Sequence, residues 1–231
     1  MVSLTRRRKL PRSFYLRPTL TVAKDLLGKY LVRKLRGKTL VGKIVEVEAY
    51  LGERDPASHA FRGRTARNDV MFREGGHLYV YFTYGMHFCC NVVTERKGRG
   101  RAVLIRAIEP VEGVGLMVRN RIAARGAKLK SGAERPHARS THLQLTSHYL
   151  TSHHSDPALT NGPAKLCQAF GIEREQNGTD LLGEQIYIIN GESISPSRIA
   201  ATTRIGIKNG KQKKWRYSIR KNPFVSMKAT P

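Results

Sequence analysis

The sequence predicts a mixed α/β (α+β) fold in a single domain, built on a mainly antiparallel sheet flanked by helices. Three observations carry this expectation. The chain has 231 residues, enough to bury one sizeable core without disulfide or metal staples. Period-2 alternation of apolar and polar residues recurs in short runs, more often than helical periodicity does. Those runs are joined by connections of hairpin length rather than by the long crossovers of a parallel sheet.

Residues 1–17 are basic and read as a loose arm. Thr21–Leu27 reads as a short helix closed by Gly28. Lys29–Leu35 and Lys43–Leu51 alternate like strands, with Arg36-Gly37-Lys38 as the turn between them. Residues 52–76 carry Gly, Arg and Asp with few apolar runs and read as a long loop. His77–Phe82 and His87–Val93 read as two strands of a hairpin around Thr83-Tyr84-Gly85-Met86. Ala102–Ile108 is a further strand, after which Pro110 is expected to open a helix reaching about Ala124. Residues 125–159 hold five histidines, many basic residues and little periodicity, and read as a partly disordered surface insertion. Asn161-Gly162-Pro163 starts a helix that Gly171 ends. Gln185–Asn190, Thr203–Lys208 and Trp215–Ile219 read as late strands. One domain over residues 18–228 is therefore expected, with 229–231 as a tail.

Composition narrows the function classes. Lys and Arg number 42 against 17 Asp and Glu, a formal net charge of +25. Such an excess points to a polyanionic partner, nucleic acid first and an anionic membrane surface second. At 40% hydrophobic residues the chain is not generically disordered. No apolar run of about 18 residues is present, which excludes a membrane-spanning helix. The start, Met1 to Lys9, lacks a following apolar segment and argues against a secretory signal. Three cysteines cannot make a disulfide framework and fit a reducing compartment. They are too few for a four-cysteine zinc or iron–sulfur site within the chain. No GxGxxG or phosphate-loop signature is present. His153-His154 have no Cys or carboxylate at ligand spacing, so neither a metal nor another cofactor is expected.

Three constellations stand out. In Lys43–Leu51 alternation puts Val45, Val47, Ala49 and Leu51 on one face, and Glu46, Glu48 and Tyr50 on the other. Neighbouring carboxylates on one strand face lie roughly 7 Å apart. Beside an aromatic they are candidates for a general base, or else a solvated face paired with Lys and Arg. Arg106 interrupts an apolar strand, sharing a face with Ala102, Leu104 and Ile108. A cation there needs a carboxylate or an anionic ligand, and both can apply. In the hairpin, Tyr79 and Tyr81 share a face while Tyr84 and Met86 fall at the tip. An apolar tip on a basic protein can act as a wedge between base steps, or can simply pack on a neighbouring loop. Cys89 and Cys90 read as core. Glu112-Gly113-Val114-Gly115 lacks the context of a DNA-binding glycine turn.

Several segments in register resemble the alkyladenine (3-methyladenine) DNA glycosylase family of animals and bacteria, which is unrelated to the helix–hairpin–helix glycosylases. They are Ala23-Lys24-Asp25-Leu26-Leu27-Gly28, Ile44 to Gly52, Leu78 to Asn91, Val103 to Pro110, and Asn161 to Ala169. The resemblance spans roughly residues 12–228 apart from the insertion. It implies a curved sheet with a protruding, DNA-intercalating hairpin. It implies an enzyme that flips alkylated or deaminated purines (3-methyladenine, 7-methylguanine, hypoxanthine) out of duplex DNA. The glycosidic bond is then hydrolysed, leaving an abasic site without strand cleavage. It places the water-activating Glu at Glu48, aided by Arg106, and the walls of the base pocket at Tyr50, His59 and Tyr81. The residue that disfavours guanine falls on Asn91, the intercalating Tyr on Tyr84, and phosphate contacts on Arg67, Met86, His87 and Lys165. His87 departs from the Tyr of mammalian members. The implied partner is double-stranded DNA with damaged purines and the implied state a monomer. The implied location is cytoplasmic and nucleoid-associated in a bacterium or nuclear in a eukaryote, with no membrane involved. The rival reading is a DNA- or RNA-binding protein without catalysis. A carboxylate with room for water beside an aromatic slot would distinguish the two.

Overall fold

The computed structural model describes residues 7–83, 86–130 and 156–226. Among them, eight strands form one sheet in the order β3-β4-β5-β2-β1-β6, with β8 on β2 and β7 on β8. The strands are β1 (Tyr30–Leu35), β2 (Lys38–Tyr50), β3 (Leu78–Thr83), β4 (His87–Thr94), β5 (Arg101–Glu112), β6 (Ile186–Ile189), β7 (Ile199–Thr202) and β8 (Arg216–Ile219). Every pairing between them is antiparallel. The helices are α1 (Arg12–Tyr15), α2 (Thr19–Leu26), α3 (Val114–Lys130) and α4 (Pro163–Phe170). The expected mixed, mainly antiparallel architecture is the one observed.

The two-residue turn Arg36-Gly37 brings Leu35 opposite Lys38. Both residues have positive φ, 49° and 69°, the backbone of a tight hairpin turn whose twist matches its strands. That pairing extends β2 five residues ahead of the expected start. The long strand then serves three neighbours. One edge pairs with β5, and the other pairs first with β1 and then, from Glu46 onward, with β8. The ladder to β5 skips Val45 on β2 and Arg106 on β5. Paired bulges of this kind bend a sheet and re-aim the side chains beside them.

One face of the sheet carries the main core. Val45, Val47 and Ala49 meet Val103, Ile105, Ala107, Leu78 and Val92 there. α2 contributes Val22, Ala23 and Leu26, and α4 contributes Leu166, Cys167, Ala169 and Phe170, each at the i, i+3, i+4 spacing of one helical face. α4 starts at Pro163 and closes at Gly171 as the sequence predicts, with Ile172 N–H returning to the Cys167 carbonyl. The opposite face bears a smaller cluster, with Ala60, Val70 and Met71 of the 52–76 loop over Tyr79, Val93 and Ala102.

Four expectations are corrected. Pro110 does not open a helix but lies within β5 opposite Gly42, at a register shift where a missing N–H is tolerated. Gly113, at φ 75°, makes the turn into α3, and a Cβ there would lie 2.5 Å from the Thr39 carbonyl oxygen. The arm is not loose from Arg7 onward: Lys9 bridges Ile189, and Leu10 and Tyr15 are buried. Thr203–Lys208 is irregular chain, the strand being Ile199–Thr202. The insertion expected from 125 begins inside α3, and residues 131–155, with His153 and His154, lie outside the described residues, as do Tyr84 and Gly85, which fall between β3 and β4 in the sequence.

Candidate active site

Directly paired residues on neighbouring strands share a face, and the register lines up the candidates. Tyr79 pairs with Asn91, Asn91 with Leu104, and Leu104 with Glu48. One pleat toward the hairpin, Tyr81 pairs with Cys89 at the level of Arg106. One pleat away from it, Tyr50 pairs with Ala102. On this face lies a cavity of about 350 Å³, in the range of small-molecule sites. Glu48, Tyr50, His59, Tyr81, Asn91 and Arg106 all line it.

Glu48 is fully buried and held by three donors. Its Oε2 accepts the Tyr50 phenol at 2.8 Å. Its Oε1 accepts the Ile205 backbone N–H at 2.8 Å and lies 3.2 Å from Arg106 Nη1. Burial and the neighbouring Glu48 charge push the Tyr50 phenol well above its ordinary range, so it stays a donor. Burial likewise pushes the Cys89 thiol up to about 12, which removes it as a nucleophile.

His59 comes from the 52–76 loop, where buried Asn68 fixes its backbone. Asn68 Nδ2 donates to the His59 carbonyl at 2.8 Å, and its Oδ1 accepts the Thr65 N–H at 2.7 Å. The imidazole Nδ1 is 3.0 Å from the Tyr79 hydroxyl. Its ring meets Tyr81 edge-on, with centroids 4.5 Å apart, while Tyr79 and Tyr81 stack at 5.5 Å. Burial, and secondarily Arg67, lower the His59 pKa. Asn91 is buried and donates to the Tyr79 carbonyl at 3.2 Å.

Glu46 does not line the cavity. Its Oε1 takes Arg106 Nε at 2.9 Å, Arg216 Nε at 2.6 Å and the Ser226 hydroxyl at 2.8 Å; its Oε2 takes the Ser226 N–H at 2.6 Å. Arg106 thus serves both readings at once, pairing with a structural carboxylate and facing the cavity.

The remaining candidates are peripheral. Arg67 is exposed and donates to the Phe82 carbonyl at 3.2 Å. Met86 is 57% exposed at the hairpin end. Met86 and His87 line a separate cleft beside Phe82 and α4. Lys165 stands in the first turn of α4, whose first residue, Pro163, reaches the cavity.

The sequence reading missed the second wall. Ile205 to Asn209 line the cavity, anchored by the buried pair of Arg204 with Asp55, at 2.5 and 2.7 Å. Their alternating residues resemble a strand, and only the fold shows them as a loop over Tyr50. Among the described residues no cluster of three or more metal-ligating side chains occurs, and no helix is long and apolar enough to cross a membrane.

The family model described as methylpurine-DNA glycosylase matches residues 13–223. A protein of Carboxydothermus hydrogenoformans is 47% identical over 220 residues, covering 95% of this chain and 99% of that one. A protein of Clostridium acetobutylicum is 42% identical over 95% of this chain and 98% of its own length. One of Methanocella arvoryzae is 42% identical over 95% and 96%. All three carry the name "Putative 3-methyladenine DNA glycosylase".

Proposed function

The chain belongs to the methylpurine-DNA glycosylase family, and from that membership we propose how this DNA glycosylase of the 3-methyladenine class works. The enzyme acts on double-stranded DNA as a monofunctional hydrolase. It turns an alkylated or deaminated purine out of the helix, seats it between the aromatic walls, and cleaves its N-glycosidic bond with water. The observation that carries this reading is Glu48: a buried carboxylate, anchored through both oxygens, lining an aromatic cavity on a chain of net charge +25.

A glycosidic bond inside duplex DNA is out of reach of any side chain, so the nucleotide has to leave the stack. Tyr84 at the hairpin tip fills the space it leaves, and Met86, His87, Arg67 and Lys165 hold the flanking backbone. Tyr50, Tyr81 and His59 then enclose the base. A purine methylated at N3 or N7 is cationic, which favours aromatic faces and makes it a good leaving group. Asn91 lines the cavity and disfavours the exocyclic amine of undamaged guanine; 7-methylguanine carries the same amine and depends on its better leaving group. Glu48 accepts a proton from the water that attacks C1′, and its charge stabilises the positive sugar of the transition state. Arg106 fixes the carboxylate and the water. A neutral base such as hypoxanthine needs proton help at N7 before it leaves. The lysine bordering the cavity, Lys208, is exposed, and no covalent step or strand cleavage is assigned to it.

The test is single-turnover base release from duplexes carrying hypoxanthine or 7-methylguanine, with wild type and Glu48→Gln side by side. The wild type should release base and leave an unbroken abasic strand. Binding without any release on either lesion would overturn the reading in favour of a non-catalytic binder.

A further inference from the structure

Arg106 meets a different partner at each of its three nitrogens. Nε donates to Glu46 Oε1, Nη1 lies 3.2 Å from Glu48 Oε1, and Nη2 donates to the Ser226 hydroxyl at 3.3 Å. Ser226 comes from 120 residues further along the chain. It is buried and absent from the residues that line the cavity. Its N–H, hydroxyl and carbonyl are all engaged in the same cluster. The N–H goes to Glu46 Oε2, the hydroxyl to Glu46 Oε1, and the carbonyl accepts Arg216 Nη2 at 2.8 Å. A hydroxyl has one proton and two lone pairs, so giving the proton to Glu46 leaves it able to accept from Arg106. Two anchors hold the segment that carries Ser226. Asn222 Nδ2 donates to Glu109 of β5 at 2.8 Å, and Phe224 is buried in the main core.

We propose that Ser226 is a positioning residue for the hydrolysis: it holds Arg106 between the two carboxylates and so keeps one guanidinium nitrogen on Glu48. The inference deepens the glycosylase reading and rests on it. An arginine and a carboxylate pair most strongly side by side, through two parallel N–H···O bonds. Nε and Nη2 form the side of the guanidinium that Glu46 would take in that way, one oxygen on each nitrogen. Ser226 occupies both groups that the second bond needs. Its N–H holds Glu46 Oε2, and its hydroxyl holds Arg106 Nη2. Glu46 therefore bonds Arg106 through Nε, and Nη1 remains turned to Glu48. Without the hydroxyl, Nη2 is a buried donor that has lost its partner, an expensive state for a charged group. The guanidinium then turns toward Glu46 to recover a bond, and Nη1 leaves the carboxylate that activates the water. A misplacement of about 1 Å, caused from outside the reacting centre, can slow a reaction by about 10²-fold.

The experiment follows single-turnover release of hypoxanthine from duplex DNA over a range of enzyme concentrations, well below the melting temperature. Ser226→Ala should lower the maximal rate about tenfold. The half-saturating concentration should stay within about twofold of wild type, because the walls of the base slot are untouched. If Ser226→Ala fails to fold, Ser226→Cys takes its place with the same loss expected, since a thiol is a weak acceptor. A double-mutant cycle reads the dependence on Arg106. Arg106→Lys keeps the charge but has one nitrogen, so adding the Ser226 change to it should alter the maximal rate less than about twofold. A serine with a merely structural role lowers the melting temperature and leaves the maximal rate of the folded enzyme unchanged. That result overturns the proposal, as does a loss confined to the half-saturating concentration, or one that multiplies with the loss in Arg106→Lys. If Arg106→Lys fails to fold, the split between maximal rate and half-saturation decides alone. Each of these outcomes leaves the glycosylase reading intact, whereas a wild type that releases no base removes that reading itself.

Discussion

Glu46 and Glu48 are two residues apart on one strand face, and their partners separate them. Glu46 is enclosed by Arg106, Arg216 and Ser226, so its loss removes one counter-charge shared by two buried cations. Glu46→Gln should cost about 3–5 kcal/mol of stability, read as a fall in Tm of roughly 10 °C. Glu48→Gln should leave Tm and lesion binding close to wild type and slow base release by about 10²-fold or more. Rapid release by Glu48→Gln with a dead but stable Glu46→Gln would reverse the assignment. His59 carries a pH signature. Its folded pKa lies below the ordinary 6.5 because burial disfavours the imidazolium. Above 6.5 both folded and unfolded forms are neutral and its contribution to stability is complete. As pH falls below 6.5 the unfolded chain takes up the proton first and stability declines, down to the folded pKa. Tm measured between pH 8 and pH 5 should fall in wild type, and His59→Gln should flatten that part of the slope. An unaltered slope would show that His59 is not the group responsible.

At the scale of elements, the site depends on the β3–β4 hairpin and on two loops that fold over the sheet. The hairpin carries Tyr81 and Asn91 into the cavity and exposes Phe82 and Met86 beyond it. A wedge at its tip should matter only where stacking has to be replaced. Tyr84→Ala should therefore slow excision of hypoxanthine from duplex DNA more than from a single strand, with unchanged Tm. Equal losses on both substrates, or a loss that tracks melting, would make Tyr84 a packing residue instead. The 52–76 loop is ordered by Asn68 and by Asp55, which caps the Leu51 and Ala57 N–H groups and ties the loop to Arg204. That tie brings the Ile205 N–H to Glu48, so the wall of the cavity also anchors the candidate base.

At the scale of the whole molecule, a net charge of +25 has to act on DNA largely without regard to sequence. Binding to undamaged duplex should weaken steeply as salt rises. Deleting residues 1–8, which carry Arg6, Arg7 and Arg8 and no acidic residue, should weaken binding to damaged and undamaged duplex alike and reduce the slope of log affinity against log salt. A selective loss of lesion binding would instead assign base recognition to that segment. The candidate cavity itself is mostly aromatic and apolar, with Glu48 and Arg106 as its buried ions and Lys208 at its border.

Much of this was written in local pattern. Alternation in β2 separated Val45, Val47 and Ala49 from Glu46, Glu48 and Tyr50, because a strand's side-chain period is two whatever surrounds it. Pro163 and Gly171 marked both ends of α4 for equally local reasons. Arg106 announced itself as a cation in an apolar run. What the chain alone does not determine is which residues meet across long separations. Arg204 lies 149 residues from Asp55, and Ser226 lies 180 from Glu46. No periodicity encodes either contact. Thr203–Lys208 alternates like a strand, yet no sheet edge is offered to it, so tertiary packing makes it a wall. Pro110 resembles a helix start, yet the β2 ladder holds it extended. Local covalent geometry sets which way a side chain points along its own element; only the folded sheet, with the two register shifts around Glu46, decided that Glu48 faces a cavity and Glu46 a cage of cations.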